Sequence, residues 1–527
     1  VSAYQIKGDY NVFWNTSIGF AYSYLSDLNQ PHSTWANPDF SNPTNFDFHE
    51  KSVVGRWTRT AWVTDTVHSI LIDLGDPAHV YTNETFPHGS NINVGLYGNT
   101  KDASKSRTNT WLFARSFNDG GDITGTGKLY WAYGSFTNGL SVRLDYSVDG
   151  GTNWITITNN LPVTYGSSGF VWNVSAITST PLALWRVIST NSGAADTNNS
   201  YFTLRGTGQI KCYVNDTGTV GDIYCSAVGS INNTGLSSNS PLPGIQDVLD
   251  RYNLGPDDMV CVDTGYYVLT NTITVGMSDR GVMGHPLIIA GSTNSTAEGT
   301  VLNRQNTGSD VIDFSSVEYV TLRDLTLRGG ARGVRLISAN NNQLENVISR
   351  NNMVGFRGDT ASTNRFLRCV AYINSTGFEG FTLGNEWING VSWGNTIAFS
   401  PSAATAVTVS NSVIVGGTAF GGSGVTFGDY NIFWNTALGY TSMNEFQRAK
   451  GWWHSMFTDP FFVNPAQLDF HPQSVNGVYS NGTWVFYTNH SPCIDMGCPV
   501  SIYTNEPPPN GSNINIGVYG NTTEASK

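Results

Sequence analysis

The sequence predicts an all-β protein: a right-handed parallel β-helix with an N-terminal helical cap, a β-sandwich domain, and the C-terminal end of a preceding β-helix copy. Three observations carry this expectation. Gly (57) and Asn (53) are abundant and Lys is scarce (8), a composition that suits short strands joined by polar turns and suits long helices poorly. Apolar residues recur at a period near 22 between residues 325 and 432. The two ends of the chain repeat one another.

Its 527 residues suffice for about three domains, and a 39% apolar content supplies material for a core. Charged residues make up only 13%, and the net charge is −12. Duplex nucleic acid and anionic bilayers are therefore not expected partners, because phosphate binding needs a basic face. No run approaches the roughly eighteen apolar residues that span a membrane, so no insertion is expected in this segment.

Residues 1–107 read as the end of a β-helix unit. Gly8-Asp9-Tyr10-Asn11-Val12-Phe13-Trp14-Asn15-Thr16 returns as Gly428–Thr436, and Asp47-Phe48-His49 returns as Asp469-Phe470-His471. Gly89–Asn93 returns as Gly511–Asn515, and Ala103-Ser104-Lys105 closes the chain as Ala525-Ser526-Lys527. Residues 106–527 number 422, which equals the offset between the copies, so a window on a longer array of one 422-residue unit is expected. The first residues carry neither a basic n-region nor an apolar h-region, which fits such a window.

Residues 108–212 read as a β-sandwich. Lys128–Tyr133, Leu140–Ser147 and Leu182–Ile188 alternate between apolar and polar residues and are separated by turns rich in Gly, Asn and Asp. Ser147-Val148-Asp149-Gly150-Gly151-Thr152-Asn153-Trp154 is similar to the Asp-box hairpin, in which the Asp caps a turn and the Trp packs; a structural role is expected.

Residues 213–527 read as the β-helix with a closing module. Ile245, Val248, Leu249 and Tyr252 share one helical face, the chain's best helix, and it is expected to cover the first rung. Leu325, Val347, Val370, Val391, Val413 and Ile432 form an expected core column, preceded by Asp324, Asn346, Cys369, Gly390, Ser412 and Asn431. Arg323, Glu345 and Arg368 alternate in sign along the expected outer face, and coils stack about 4.8 Å apart, so a structural ion ladder is expected there.

The helix followed by Asp258-Met259-Val260-Cys261-Val262-Asp263-Thr264-Gly265-Tyr266-Tyr267 resembles the entry to secreted β-helix proteins of the pectate-lyase-like superfamily. Asp459–Pro465, Asp469-Phe470-His471, Ser491-Pro492-Cys493-Ile494-Asp495-Met496-Gly497 and Asn515–Gly520 are similar to the closing module of surface proteins called choice-of-anchor Q. The spacer resembles fibronectin- and immunoglobulin-like modules. These resemblances imply a β-helix and an extracellular or cell-surface location. They do not imply catalysis.

No catalytic residue, cofactor or metal is expected. The Asn-x-Asp, Asp-Asp, Gly-His-Gly and Arg-x-Lys motifs of polygalacturonases are absent from the rungs between 300 and 440, and no Cys/His spacing suggests zinc. Asp324, Glu345 and Arg368 could be drafted as a lyase site, but a structural ladder is the preferred reading. Every cation from 281 to 447 is Arg, including the one-rung pairs Arg328/Arg350 and Arg335/Arg357. Local pairing with Asp359, Glu345 and Glu379 is preferred over a stripe for acidic polysaccharide. Trp452, Trp453, Phe457, Phe461, Phe462 and Trp434 are expected to cap the last rungs in preference to forming a sugar platform.

Six Cys residues suit an oxidising compartment. Cys493 and Cys498 are expected to form a disulfide, because Leu71 and Asp76 replace both in the other copy. Cys212 with Cys225, or Cys225 with Cys261, could pair, and Cys369 is expected as a buried thiol. Candidate N-glycosylation sequons stand at Asn15, Asn83, Asn173, Asn198, Asn215, Asn232, Asn294, Asn374, Asn481, Asn489, Asn510 and Asn521. The expected function is that of a structural repeat unit, not an enzyme, in a secreted filament or stalk whose partner is itself, either adjacent repeats or identical subunits. The alternative is a polysaccharide-binding or polysaccharide-degrading, lyase-like surface protein, with glycans as partners.

Overall fold

The computed structural model describes residues 8–16, 30–134, 141–163, 169–293, 299–402, 407–421, 426–480 and 482–527. It divides into two compact units, Val1–Gln209 and Ile210–Lys527.

The second unit is a parallel β-helix. Each full coil gives one short strand to each of three parallel sheets, called A, B and C in the order the chain visits them. Sheet A has nine strands from Lys211–Val214 to Thr426–Asp429, sheet B nine from Gly265–Val268 to Met456–Phe457, and sheet C seven from Ile273–Val275 to Thr418–Phe420. Lys211–Val214 thus opens the β-helix, although the sequence reading assigned Lys211 and Cys212 to the sandwich.

A single residue turns the chain from sheet A to sheet B. Asp324, Asn346, Arg368, Asn389, Asn411 and Tyr430 all hold this corner at φ between 50° and 58°. Asn tolerates the left-handed region better than most residues, which is one physical reason for the high Asn content. Two further Asn columns are buried. Oδ1 of Asn342, Asn364 and Asn385 accepts the backbone N–H of Val320, Asn342 and Asn364 one coil earlier, at 2.9–3.0 Å. Their Nδ2 atoms donate to the carbonyls of Val317, Ala339 and Ala361, each at 3.0 Å. Asn352, Asn374 and Asn395 repeat the device between sheets B and C. Backbone groups at bends have no ladder partner of their own, and these amides supply one.

The register corrects the expected core column. Thr326, Ile348, Val370, Val391, Val413 and Ile432 are aligned, whereas Leu325 and Val347 lie one position earlier, in line with Cys369 and Gly390. Both residues of each pair Leu325/Thr326 and Val347/Ile348 suit burial, so spacing alone slipped by one. The aligned Val370, Val391, Val413 and Ile432 point out of the coil, where Phe462, Phe470, Cys493 and Ile516 of the closing segment cover them. Inside the coil, Val334, Phe356, Phe378, Phe399 and Phe420 stack along sheet C.

Both ends of the coil are shielded. Helix α1 (Ile245–Arg251) matches the expected helix, buries Ile245, Val248 and Leu249, and lies against the first strands of sheets A and C. Helix α2 (Met443–Lys450) starts at Ser442, whose hydroxyl accepts the Glu445 N–H, and stops at Gly451 in the left-handed region. Its Phe446 and the following Trp452 pack on Phe420 and Phe433 with ring centroids 5.3–6.2 Å apart, as capping predicts. Phe462 is buried in the closing segment, whereas Trp434, Trp453, Phe457 and Phe461 remain exposed.

In the first unit two sheets face across one core. The larger contains Ser141–Ser147, Ile155–Pro162 and Thr180–Ser189, and the smaller Trp111–Ala114, Thr126–Gly134 and Gly169–Asn173. Leu129, Trp131 and Trp172 of one meet Val142, Leu144, Trp185 and Phe202 of the other. Asp149 accepts the backbone N–H of Asn153 (2.9 Å) and its side-chain amide (2.6 Å), which holds its carboxyl down at about 2; the Asp-box residue is tied up in its own turn. The closing segment of this unit turns Val12, Ile70, Leu74 and Val94 toward Trp111, Phe113 and Ala132.

Candidate functional site

A column rich in charged residues stands on the outer face of sheet C. Thr274, Asp313, Arg335, Arg357, Glu379 and Ser400 are register partners on successive coils and form one outward column. Arg332 and Asp310 stand beside its upper end, where both oxygens of Asp310 accept from Arg332 at 2.8 and 2.9 Å. Asp359 bridges two cations, with Arg335 Nε at 2.7 Å and Arg357 Nε at 2.8 Å, and Arg357 also pairs with Glu379 at 2.7 Å. The preferred reading of Arg335 and Arg357, local pairing with Asp359 and Glu379, matches this geometry.

Sequence reasoning missed Asp310 and Asp313. Burial, with the neighbouring Asp310 carboxylate behind it, pushes the Asp313 carboxyl well above the ordinary carboxylate range, although Arg335 and Arg332 pull the other way. Its Oδ1 is buried without a hydrogen-bond partner. Asp359 behaves oppositely: burial raises its carboxyl, but the hydrogen bonds from Arg357 and Arg335 outweigh it and hold the group low. Sheet C therefore carries a neighbouring carboxyl pair, Asp310 and Asp313, and three guanidinium groups on one face. A signal for it stood in the sequence, since Arg332 and Arg335 follow Asp310 and Asp313 by one coil of 22 residues each.

The expected ladder is placed differently. Arg323 and Glu345 are register partners on sheet A, but the partner of Glu345 on the next coil is Leu367. Arg368 occupies the corner below Asn346, donates from Nε to Asn346 Oδ1 at 2.9 Å, and reaches back to Glu345 with its other nitrogen. Asp324 accepts from the Asn346 amide at 2.9 Å. Asp324, Glu345 and Arg368 are thus occupied with one another's coils.

The cysteine expectation is corrected: all six are free thiols. Cys493 points into the apolar cluster with Val391, Val413 and Ile516, whereas the Cys498 backbone N–H is held by Asn411 at 2.8 Å on the sheet A corner. Cys212, Cys225 and Cys261 are unbridged, and Cys369 is the expected buried thiol. The sequons differ in exposure. Asn198, Asn215 and Asn374 are buried, with amides that donate to Phe117 O, Gly218 O and Ser349 O, and offer no acceptor nitrogen in the folded chain. Asn15, Asn83, Asn173, Asn232 and Asn489 are exposed, and Asn510 and Asn521 half-buried; Asn294 and Asn481 lie outside the described residues. Among the described residues, no three His, Cys, Asp or Glu side chains converge in one cluster, and no helix is long and apolar enough to cross a membrane.

No family model matches the chain. It is 29% identical over 166 residues to pectate lyase PEL9 of Emericella nidulans, a match covering 30% of this chain and 39% of that relative. The chain thus spans about two fifths of the length of the curated relative it matches. Among solved structures, pectate lyase Pel9A shares 15% identity at a TM-score of 0.38, covering 59% of this chain and 97% of that one. The alginate lyase from Paenibacillus sp. str. FPU-7 shares 19% identity at a TM-score of 0.29, covering 34% and 70%.

The likeness to pectate lyase PEL9 and the parallel β-helix together support the pectate-lyase-like β-helix superfamily. They do not extend to a choice-of-anchor Q module or to a fibronectin- or immunoglobulin-like kinship of the sandwich. The same likeness overturns the expectation of a non-enzymatic chain: the sequence relative is a lyase, and the polysaccharide-degrading alternative stands ahead of the filament unit.

Proposed function

We propose that the chain cleaves an acidic polysaccharide by β-elimination on the outer face of sheet C. One observation carries this reading: the neighbouring carboxyls of Asp310 and Asp313 are packed against Arg332 and Arg335 one coil away. The lyase relative supports the reaction class.

Eliminating a uronate linkage needs a cation at the sugar carboxylate, a base for the adjacent C–H, and an acid for the departing oxygen. Arg332, Arg335 and Arg357 are paired with Asp310, Asp359 and Glu379, and they would meet a planar sugar carboxylate with the N–H groups those pairs leave over. Neutralising that carboxylate acidifies the neighbouring carbon. The ionised member of the Asp pair takes the proton, the ring C–C double bond forms as the glycosidic C–O bond breaks, and the protonated member returns a proton to the leaving oxygen. Neighbouring coils are about 4.8 Å apart, so a chain lying along the column would meet Arg335 and Arg357 in succession. A secreted or cell-surface location is part of this proposal, since such polymers lie outside cells.

The test is turnover of polygalacturonate and alginate followed by the ultraviolet absorbance of the unsaturated product. Asp313→Asn and Arg335→Ala should each lower turnover by about a hundredfold or more. Unchanged turnover in both variants, or none in the parent chain on any uronate polymer, would sink the proposal.

A further inference from the structure

The closing segment of the first unit buries the carboxyl of Glu50. Glu50 is 0% exposed, and neither of its carboxylate oxygens has a hydrogen-bond partner. Glu84 is also buried. Its Oε1 accepts the backbone N–H groups of Asn93 (2.9 Å) and Asn99 (2.8 Å), while Oε2 is left without a partner. The loop 93–99 therefore wraps around one carboxylate and is touched by the other. Gly95, at φ 127°, sits between the two anchoring N–H groups, and a Cβ there would lie 3.1 Å from Glu50 Oε1. Only glycine leaves that approach open.

Burial raises the Glu50 carboxyl to about 7; its own backbone N–H and Ser104 pull the other way, and the charge of Glu84 adds to the rise. Leaving a carboxylate dry and unpaired costs several kcal/mol, so something must neutralise it. The duplicate segment supplies a control. Pro472 stands where Glu50 stands, and the position matching Gly95, Gly517, faces the methyl groups of Val413 and Val391 at 3.6 and 3.9 Å. The second carboxylate is present only in the segment whose loop has no such apolar neighbour.

We propose that Glu50 and Glu84 bind one divalent hard cation, calcium by preference, inside the first closing segment. Two carboxylates match a charge of +2, and three orphaned oxygens are donors of the kind calcium takes, whereas magnesium demands a regular octahedron. The second closing segment, with Glu506 alone, binds none.

The experiment is calorimetric titration of the full chain with calcium chloride, alongside thermal unfolding with and without calcium. One equivalent should bind and raise the unfolding temperature. Glu50→Gln, which keeps the side-chain shape, should weaken binding about tenfold or more and abolish the temperature shift. If Glu50→Gln does not fold, Glu84→Gln, which retains the oxygen that accepts both N–H groups, serves in its place. No binding by the parent chain, two equivalents, or unchanged affinity in the variant overturns the proposal; a proton is then the neutralising partner.

Discussion

The two closing segments have the same internal geometry and rest on different surfaces. His49 and His471 are hydrogen-bonded through Nδ1 to the accepting carboxylates of Asp47 and Asp469 at 2.6 Å and stack on Tyr97 and Tyr519 at 3.5 and 3.4 Å. Glu84 and Glu506 each gather two backbone N–H groups at 2.8–2.9 Å, and Gly75 and Gly497 bond to Ile92 and Ile514 at 2.9 Å. Outside this frame the copies diverge. Ile432, Cys493 and Ile516 lie with Val391 and Val413 of the β-helix, while Val12 and Val94 lie with Trp111 and Phe113 of the sandwich. The segment is therefore a self-bonded loop assembly whose apolar face accepts either sheet. Hydrogen bonds set its shape, and non-directional burial sets its partner.

Deleting the same ring from each copy breaks this comparison most sharply. Phe470 is 1% exposed and packs on Trp393 and Tyr372, whereas Phe48 is only half-buried against Phe40. Phe470→Ala should cost about 3–5 kcal/mol in guanidinium unfolding, and Phe48→Ala about 1–2 kcal/mol. Equal losses would mean that the underlying sheet contributes nothing to the segment.

A smaller effect should appear on titration. Burial holds the Glu506 carboxyl at about 7, well above its unfolded value. The folded chain then keeps a proton that the unfolded chain releases, so this stabilisation is full below the unfolded pKa and fades as pH rises toward 7. The loss approaches about 3 kcal/mol, and Glu506→Gln should flatten the slope of stability against pH in that window. A parent chain whose stability from this group rises over the same interval would contradict the buried geometry.

The smallest expected difference is a null one. Lys105 lies over Trp62 at 4.3 Å and Lys527 over Trp484 at 3.9 Å, each at a two-stranded hairpin. Replacing either by Ala should cost about 0.5 kcal/mol, equally in the two copies, as thermal unfolding would register.

Much of the architecture was legible in the residues. A period near 22 is a statement about coil length, and helix α1 followed from four apolar positions on one face. What spacing could not supply was phase. Leu325/Thr326 and Val347/Ile348 offer two acceptable residues at each coil, and the left-handed corner, invisible in hydrophobicity, decides which turns outward. The same blindness misplaced Arg368, which reads as an outer-face cation and holds the corner. The disulfide expectation failed for a different reason: a spacing carries no burial, and Cys493 is interior. The site on sheet C was half legible. Its arginines stood out as a class, but Asp310 and Asp313 sit before and inside a strand unlike any known motif, and only their 22-residue relation to Arg332 and Arg335 marks them.

The amide columns have a direction. Each Asn reaches backward, so the N–H and C=O left over at one bend are satisfied only by the coil that comes after it. A chain emerging from the ribosome thus carries, at every moment, a newest turn whose polar groups still face water, and each turn is finished by its successor. A truncation anywhere between Asn342 and Asn395 therefore strands the last bend, whatever apolar surface it has already buried.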